Sequence, residues 1–191
     1  MKGLLIATAL AAVTTYPAHA QEDDEERQFV IAQFKGWTGI VLHCVPNAAN
    51  TLVRDAICQS ASAEFNYLAE NSGIPHRVSD GEDMFRMTVN SRSLGTPLIL
   101  ELDTSATSSR NGPLGVHVRL TAEKFYSTAI EQDAKPGDPE ASPRGGDLVF
   151  WERTTIGAGF GDQQVARDIA PYVNDSIKVF FSQFLKGWKS K

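Results

Sequence analysis

The feature that most limits what this chain can fold into is a change of hydrophobic period along it. Phe85, Met87 and Val89 alternate with Arg86, Thr88 and Asn90; Leu98, Leu100 and Leu102 alternate with Ile99, Glu101 and Asp103. Val116, Val118 and Leu120 alternate with His117, Arg119 and Thr121, and Leu148 and Phe150 with Val149, Trp151 and Arg153. Successive strand side chains point to opposite faces, so each run predicts a strand with one buried and one wet face, as in antiparallel sheets. The runs are separated by turn-forming residues at 91–96, 104–113 and 131–146, the last holding Pro136, Gly137, Pro139, Pro143, Gly145 and Gly146. That segment reads as a long hairpin loop.

On either side the period becomes helical. Val53, Ile57, Ala61, Phe65 and Leu68 form one stripe, with Asn47 or Asn50 as candidate caps and Gly73 and Pro75 closing the helix near Asn71. Val165, Ile169, Val173, Ile177, Phe180, Phe181, Phe184 and Trp188 form a second, wider stripe from Asp162, with Pro171 placed to delay the regular helix. Ahead of both, Gly39-Ile40-Val41-Leu42-His43-Cys44-Val45 is a β-branched apolar run stopped by Pro46, which reads as a buried strand. Together these elements predict an α+β fold: a two-layer sandwich with a mostly antiparallel sheet of about five or six strands and two helices on one face. The layout resembles, at the level of the fold, small periplasmic α/β modules of curli-secretion and Tol-associated proteins. No motif marks membership, so no residue role is carried over.

Residues 1–20 have the layout of a secretory signal peptide: Lys2, an apolar run from Leu4 to Val13, and Ala18-His19-Ala20 before a cut at Gln21. That run, about ten residues, is too short to span a bilayer, and no later stretch is long and apolar enough. Residues 21–35 form an acidic N-terminal segment, with Glu22, Asp23, Asp24, Glu25 and Glu26 reading as a frayed start, and residues 36–191 one domain. The chain beyond residue 20 carries a formal charge of −6, without the concentrated basic face that nucleic acid requires. These features point to a periplasmic or secreted location. In such an oxidising compartment the two cysteines, Cys44 and Cys58, are expected to form a structural disulfide joining the first strand to the first helix.

The wet sheet face is the candidate binding surface. Simple hairpin geometry sets Arg86 and Arg119 opposite Glu101, Asp103 opposite His117, Trp151 opposite Thr121 and Arg153 opposite Arg119, a charged row flanked by an aromatic. Such a row suits an envelope protein partner or a small anionic ligand, and equally a solvated face held by its own ion pairs. An Asp103–His117 pair with Ser105 or Thr121 would be the core of a hydrolase, but the chain has no G-x-S-x-G or H-E-x-x-H motif. A cavity lined by Phe150, Phe180 and Phe184 would instead make an apolar-ligand carrier. Gly157-Ala158-Gly159-Phe160-Gly161 departs from dinucleotide-loop spacing and reads as a flexible connection. His43 reads as buried and His76 as exposed. Asp133, Asp138, Glu140 and Asp147 lack calcium-loop spacing, so no metal or cofactor is expected. The sequence thus favours a non-enzymatic exported binding or accessory protein of the cell envelope.

Overall fold

Ile40-Val41-Leu42-His43-Cys44 is buried at every position. A strand apolar on both faces must be covered on both, which is how strands with parallel neighbours read. A computed structural model describes residues 24–46, 51–79, 94–107, 113–127 and 145–190. Its elements are α1 (Asp24–Gln33), β1 (Ile40–Cys44), α2 (Thr51–Ser72), β2 (His76–Ser79), β3 (Leu98–Thr107), β4 (Leu114–Ser127), β5 (Gly145–Gly159) and α3 (Asp162–Trp188). The strands form one five-stranded sheet in the order β2-β1-β3-β4-β5.

The fold is α+β as expected, but the sheet is mixed rather than mostly antiparallel. β1 runs parallel to both β2 and β3, whereas β3, β4 and β5 are antiparallel. The cause is α2, which carries the chain back along the sheet so that β2 begins beside the start of β1, Ile40 opposite His76. The neighbour of β3 away from β4 is therefore β1. The alternating run at 85–90, the candidate caps Asn47 and Asn50, the segment 1–20 and the acids at 133–140 lie outside the described residues.

Both apolar stripes turn inward. α2 buries Val53, Ile57, Ala61, Phe65 and Ala69, with Leu68 at the margin. It ends at Gly73, whose φ of 67° closes the helix as the Ile74 amide donates to the Ala69 carbonyl at 3.0 Å. α3 is continuous from Asp162 through Pro171, so the proline does not delay its start. Phe180, Phe181 and Phe184 fill the space beneath the sheet: Trp151 lies 5.4 Å from Phe180 and Phe65 5.6 Å from Phe181, centroid to centroid.

Of the acidic start, residues 24–26 belong to α1, while residues 22 and 23 lie outside the described residues. Acidic residues at 24–26 occupy the first turn of α1, where the helix dipole favours negative charge. At the other end Phe34 is buried 5.8 Å from both Phe180 and Phe184. Cys44 and Cys58 are bonded, with Cα atoms 6.0 Å apart, tying β1 to α2 as anticipated. The glycine run is not a loose connection: Gly157 and Gly159 belong to β5, and the turn into α3 falls at Gly161, with φ of 80°.

Candidate functional site: the acidic sheet face

The site is built by registry on the sheet face away from α2 and α3. Leu98, Leu100 and Leu102 of β3 point to the helices, so Ile99, Glu101 and Asp103 point the other way. On β4 the same alternation sends His117, Arg119, Thr121 and Glu123 to that face. Asp103 lies opposite Arg119, Glu101 opposite Thr121 and Ser105 opposite His117. The β3–β4 hairpin is thus two residues out from the expected register. A two-residue slip keeps every side chain on its face and changes only its partner.

The β4–β5 pairing differs in kind. Glu123 lies opposite Val149 but Ala122 opposite Trp151, so Phe150 is an extra residue in a β-bulge. One extra residue exchanges the faces of everything beyond it. Trp151 turns inward against Phe180, and Arg153 stands opposite Leu120 on the helix side, exposed at the sheet margin. Glu152 turns outward in their place. Of the seven sequence-selected residues, Glu101, Asp103, His117 and Arg119 come together; Trp151 and Arg153 do not join them, and Arg86 lies outside the described residues.

Arg119 is held by a two-pronged ion pair. Its Nε donates to one carboxylate oxygen of Glu152 at 3.1 Å and its Nη2 to the other at 3.0 Å. This contact holds the Glu152 carboxyl below, and the guanidinium above, its ordinary range. The pair is exposed to solvent on both sides, so it fixes the geometry of the two side chains and adds little to stability.

Beside it are two carboxyl groups that sequence reading did not join. Burial pushes Glu101 up to about 7, reinforced by the charge of Glu123, a hydrogen bond with Glu123 and the charges of Asp103 and Asp147. Burial and the charge of Asp147 also raise Glu123, while its hydrogen bonds with Glu101 and Thr121 act the other way. Of the two, Glu101 is the one that holds its proton into the neutral range. Glu101 Oε2 is buried and has no hydrogen-bond partner among the described residues. On the adjacent strand His43 is level with Glu101; burial lowers its basicity, partly offset by a hydrogen bond to the Ser79 main chain. His76 is half-buried rather than exposed, its Nδ1 3.0 Å from the Ile74 carbonyl and its ring 6.0 Å from that of Phe65.

The described face thus carries Glu101, Asp103, Glu123, Asp147 and Glu152 against two guanidinium groups, Arg119 on β4 and Arg77, opposite Val41 on the β2 edge. Glu123 was legible as the next outward position after Thr121 on an alternating strand, whereas Glu152 could be found only with the bulge in hand. Chemically the face offers proton exchange near neutral pH at Glu101 and a field that attracts cations. Among the described residues, no three histidine, cysteine or acidic side chains are grouped to hold a metal ion. No protein-family model matches this chain, and neither does a curated protein or a solved structure.

Proposed function

We propose that this chain is an exported, non-enzymatic binding or accessory protein of the cell envelope whose acidic sheet face receives a basic segment of a partner protein. The observation that carries this reading is the excess of carboxyl groups on that face, five against the two guanidinium groups of Arg119 and Arg77, with Asp103, Asp147 and Glu152 grouped beside β4 and β5. An anionic small ligand suits it poorly, because the second arginine of the expected row, Arg153, stands on the helix side. The groups sit on paired strands, so they are positioned before binding and little ordering cost falls on association. The signal-peptide layout of residues 1–20 and the Cys44–Cys58 bond support export.

The test uses a lysine-rich peptide and calorimetry. Neutralising Asp103, Asp147 and Glu152 to the amides weakens binding about tenfold. Neutralising Asp55, Glu64 and Glu70 on α2 removes the same net charge and changes affinity less than about twofold. Equal losses in the two sets would mean that net charge alone attracts the peptide, and the reading would fall.

A second reading, a hydrolase, rests on Ser105 lying directly opposite His117, in an open groove bordered also by Thr107 and Ile156. Reaction with a fluorophosphonate, lost in Ser105→Ala, would select it over the binding protein.

A further inference from the structure

The two edges of the sheet are treated differently by the sequence. β2 forms one edge and is four residues long, which by itself limits strand addition. β5 forms the other and is fifteen residues long. Its first part is guarded by the usual devices, the bulge at Phe150 and the charges of Asp147, Glu152 and Arg153. From Thr154 to Phe160 there is no charge, no proline and no bulge. Within that stretch Ile156 is 77% exposed and Phe160 73%. Tyr172, on the flank of α3 that borders the same edge, is 65% exposed. A bare, regular, apolar edge of this kind is a template for another strand.

The edge also has the symmetry needed to pair with itself. Two antiparallel strands related by a two-fold axis normal to the sheet keep residues of one face opposite residues of the same face. Axes through Glu152 or Arg153 would set like charges directly against each other, at a cost. An axis through Ile156 sets Ile156 against its own copy, Thr154 against Ala158, and Thr155 against Gly157. No like charges then face each other across the join. The helix side agrees: Gly157 and Gly159 carry no side chain there, and a Cβ on Gly157 would lie 2.7 Å from the Ile169 side chain. α3 therefore sits close under the edge without rising past it.

We infer that the Thr154–Gly159 edge of β5 pairs antiparallel with the same edge of a second copy of this chain, centred on Ile156, to give a continuous ten-stranded sheet. The occupant is a second copy because the uncharged stretch is complementary to itself about Ile156, while the charges that exclude other registers lie just outside it. Both acidic faces then open to the same side.

Two measurements test this with the full chain. Light scattering of the eluted protein gives twice the chain mass, and Ile156→Lys gives the chain mass with an unchanged circular dichroism spectrum. Because Cys44 and Cys58 are bonded to each other, a single introduced cysteine reports on register. Under mild oxidation Ile156→Cys links to itself; Thr154→Cys does not, but it links to Ala158→Cys when the two variants are mixed. A wild-type monomer at every concentration, a dimer that survives Ile156→Lys, or links only in another register would overturn the inference. So would a monomer that takes an unrelated extended peptide on β5.

Discussion

Glu101 on β3 and Glu123 on β4 stand side by side on neighbouring strands, and burial together with the neighbouring Glu123 carboxylate raises Glu101 so that it keeps its proton up to about pH 7. Burial pushes both toward the neutral form; the charge and hydrogen bond of Glu123 add to this at Glu101, while the same hydrogen bond acts the other way at Glu123. Arg119, the cation nearest the pair on β4, is engaged by Glu152.

The consequence is a stability that falls with rising pH. Glu101 loses its proton near pH 4.5 in the unfolded chain and near 7 in the folded one. Between those values the folded state binds more protons, so its stability declines as pH climbs and levels off above about 7. One proton sets a slope of at most ~1.4 kcal/mol per pH unit, reduced by solvent reaching the half-buried pair. Denaturant melts at pH 5, 6 and 7 check this. Glu101→Gln keeps the hydrogen bond to Glu123 and removes the titration, so its curve is flatter than that of the wild type over the same window. Parallel curves for the two proteins would refute the proton held on Glu101.

The Cys44–Cys58 bond closes a loop with a sequence separation of 14. On the chain-entropy model such a loop contributes about 3 kcal/mol by limiting the unfolded ensemble. For a domain of this size that corresponds to a thermal midpoint roughly 6–12 °C lower once the bond is gone. Comparing the oxidised protein with the Cys44→Ala, Cys58→Ala double variant measures it directly. A difference under about 2 °C would mean that β1 and α2 are held by packing alone.

How much of this was legible follows from which physical signals are local. The helical stripes, the strands β3, β4 and β5 and the cysteine pair were readable because burial and bonding impose short periods and spacings on the sequence. The parallel pairing of β1 was only half visible. Its unbroken apolar run said that both faces are covered, yet nothing in Ile40–Cys44 names its neighbours. The site suffered from register. A hairpin moved by two residues leaves Asp103 and His117 on the right face with the wrong partners. A single extra residue, Phe150, removed Trp151 and Arg153 from that face and supplied Glu152. Bulges are set by how the strand must bend over the core, which the alternating pattern does not encode. The glycines were misread for a related reason: Gly157 and Gly159 are small because α3 crosses beneath them, not because the chain turns there.

Gly187 gives the same lesson in a form that can be tested. It lies in the last turns of α3, where alanine would by propensity alone stabilise the helix by up to ~1 kcal/mol. A Cβ at this position would stand 2.6 Å from the Ile31 carbonyl oxygen and 2.6 Å from the Phe34 Cβ. One obstacle is backbone and the other belongs to a ring wedged against Phe180 and Phe184, so neither moves freely. Gly187→Ala should therefore destabilise by about 1–3 kcal/mol, as overpacking of a tight contact does. The damage should be local. α1 docks onto α3 through this contact, so hydrogen exchange at residues 28–34 accelerates sharply while amides of β1 and β3 keep their protection. A midpoint equal to or above that of the wild type, with α1 still protected, would show that the two helices part easily and that Gly187 is not what seats one against the other.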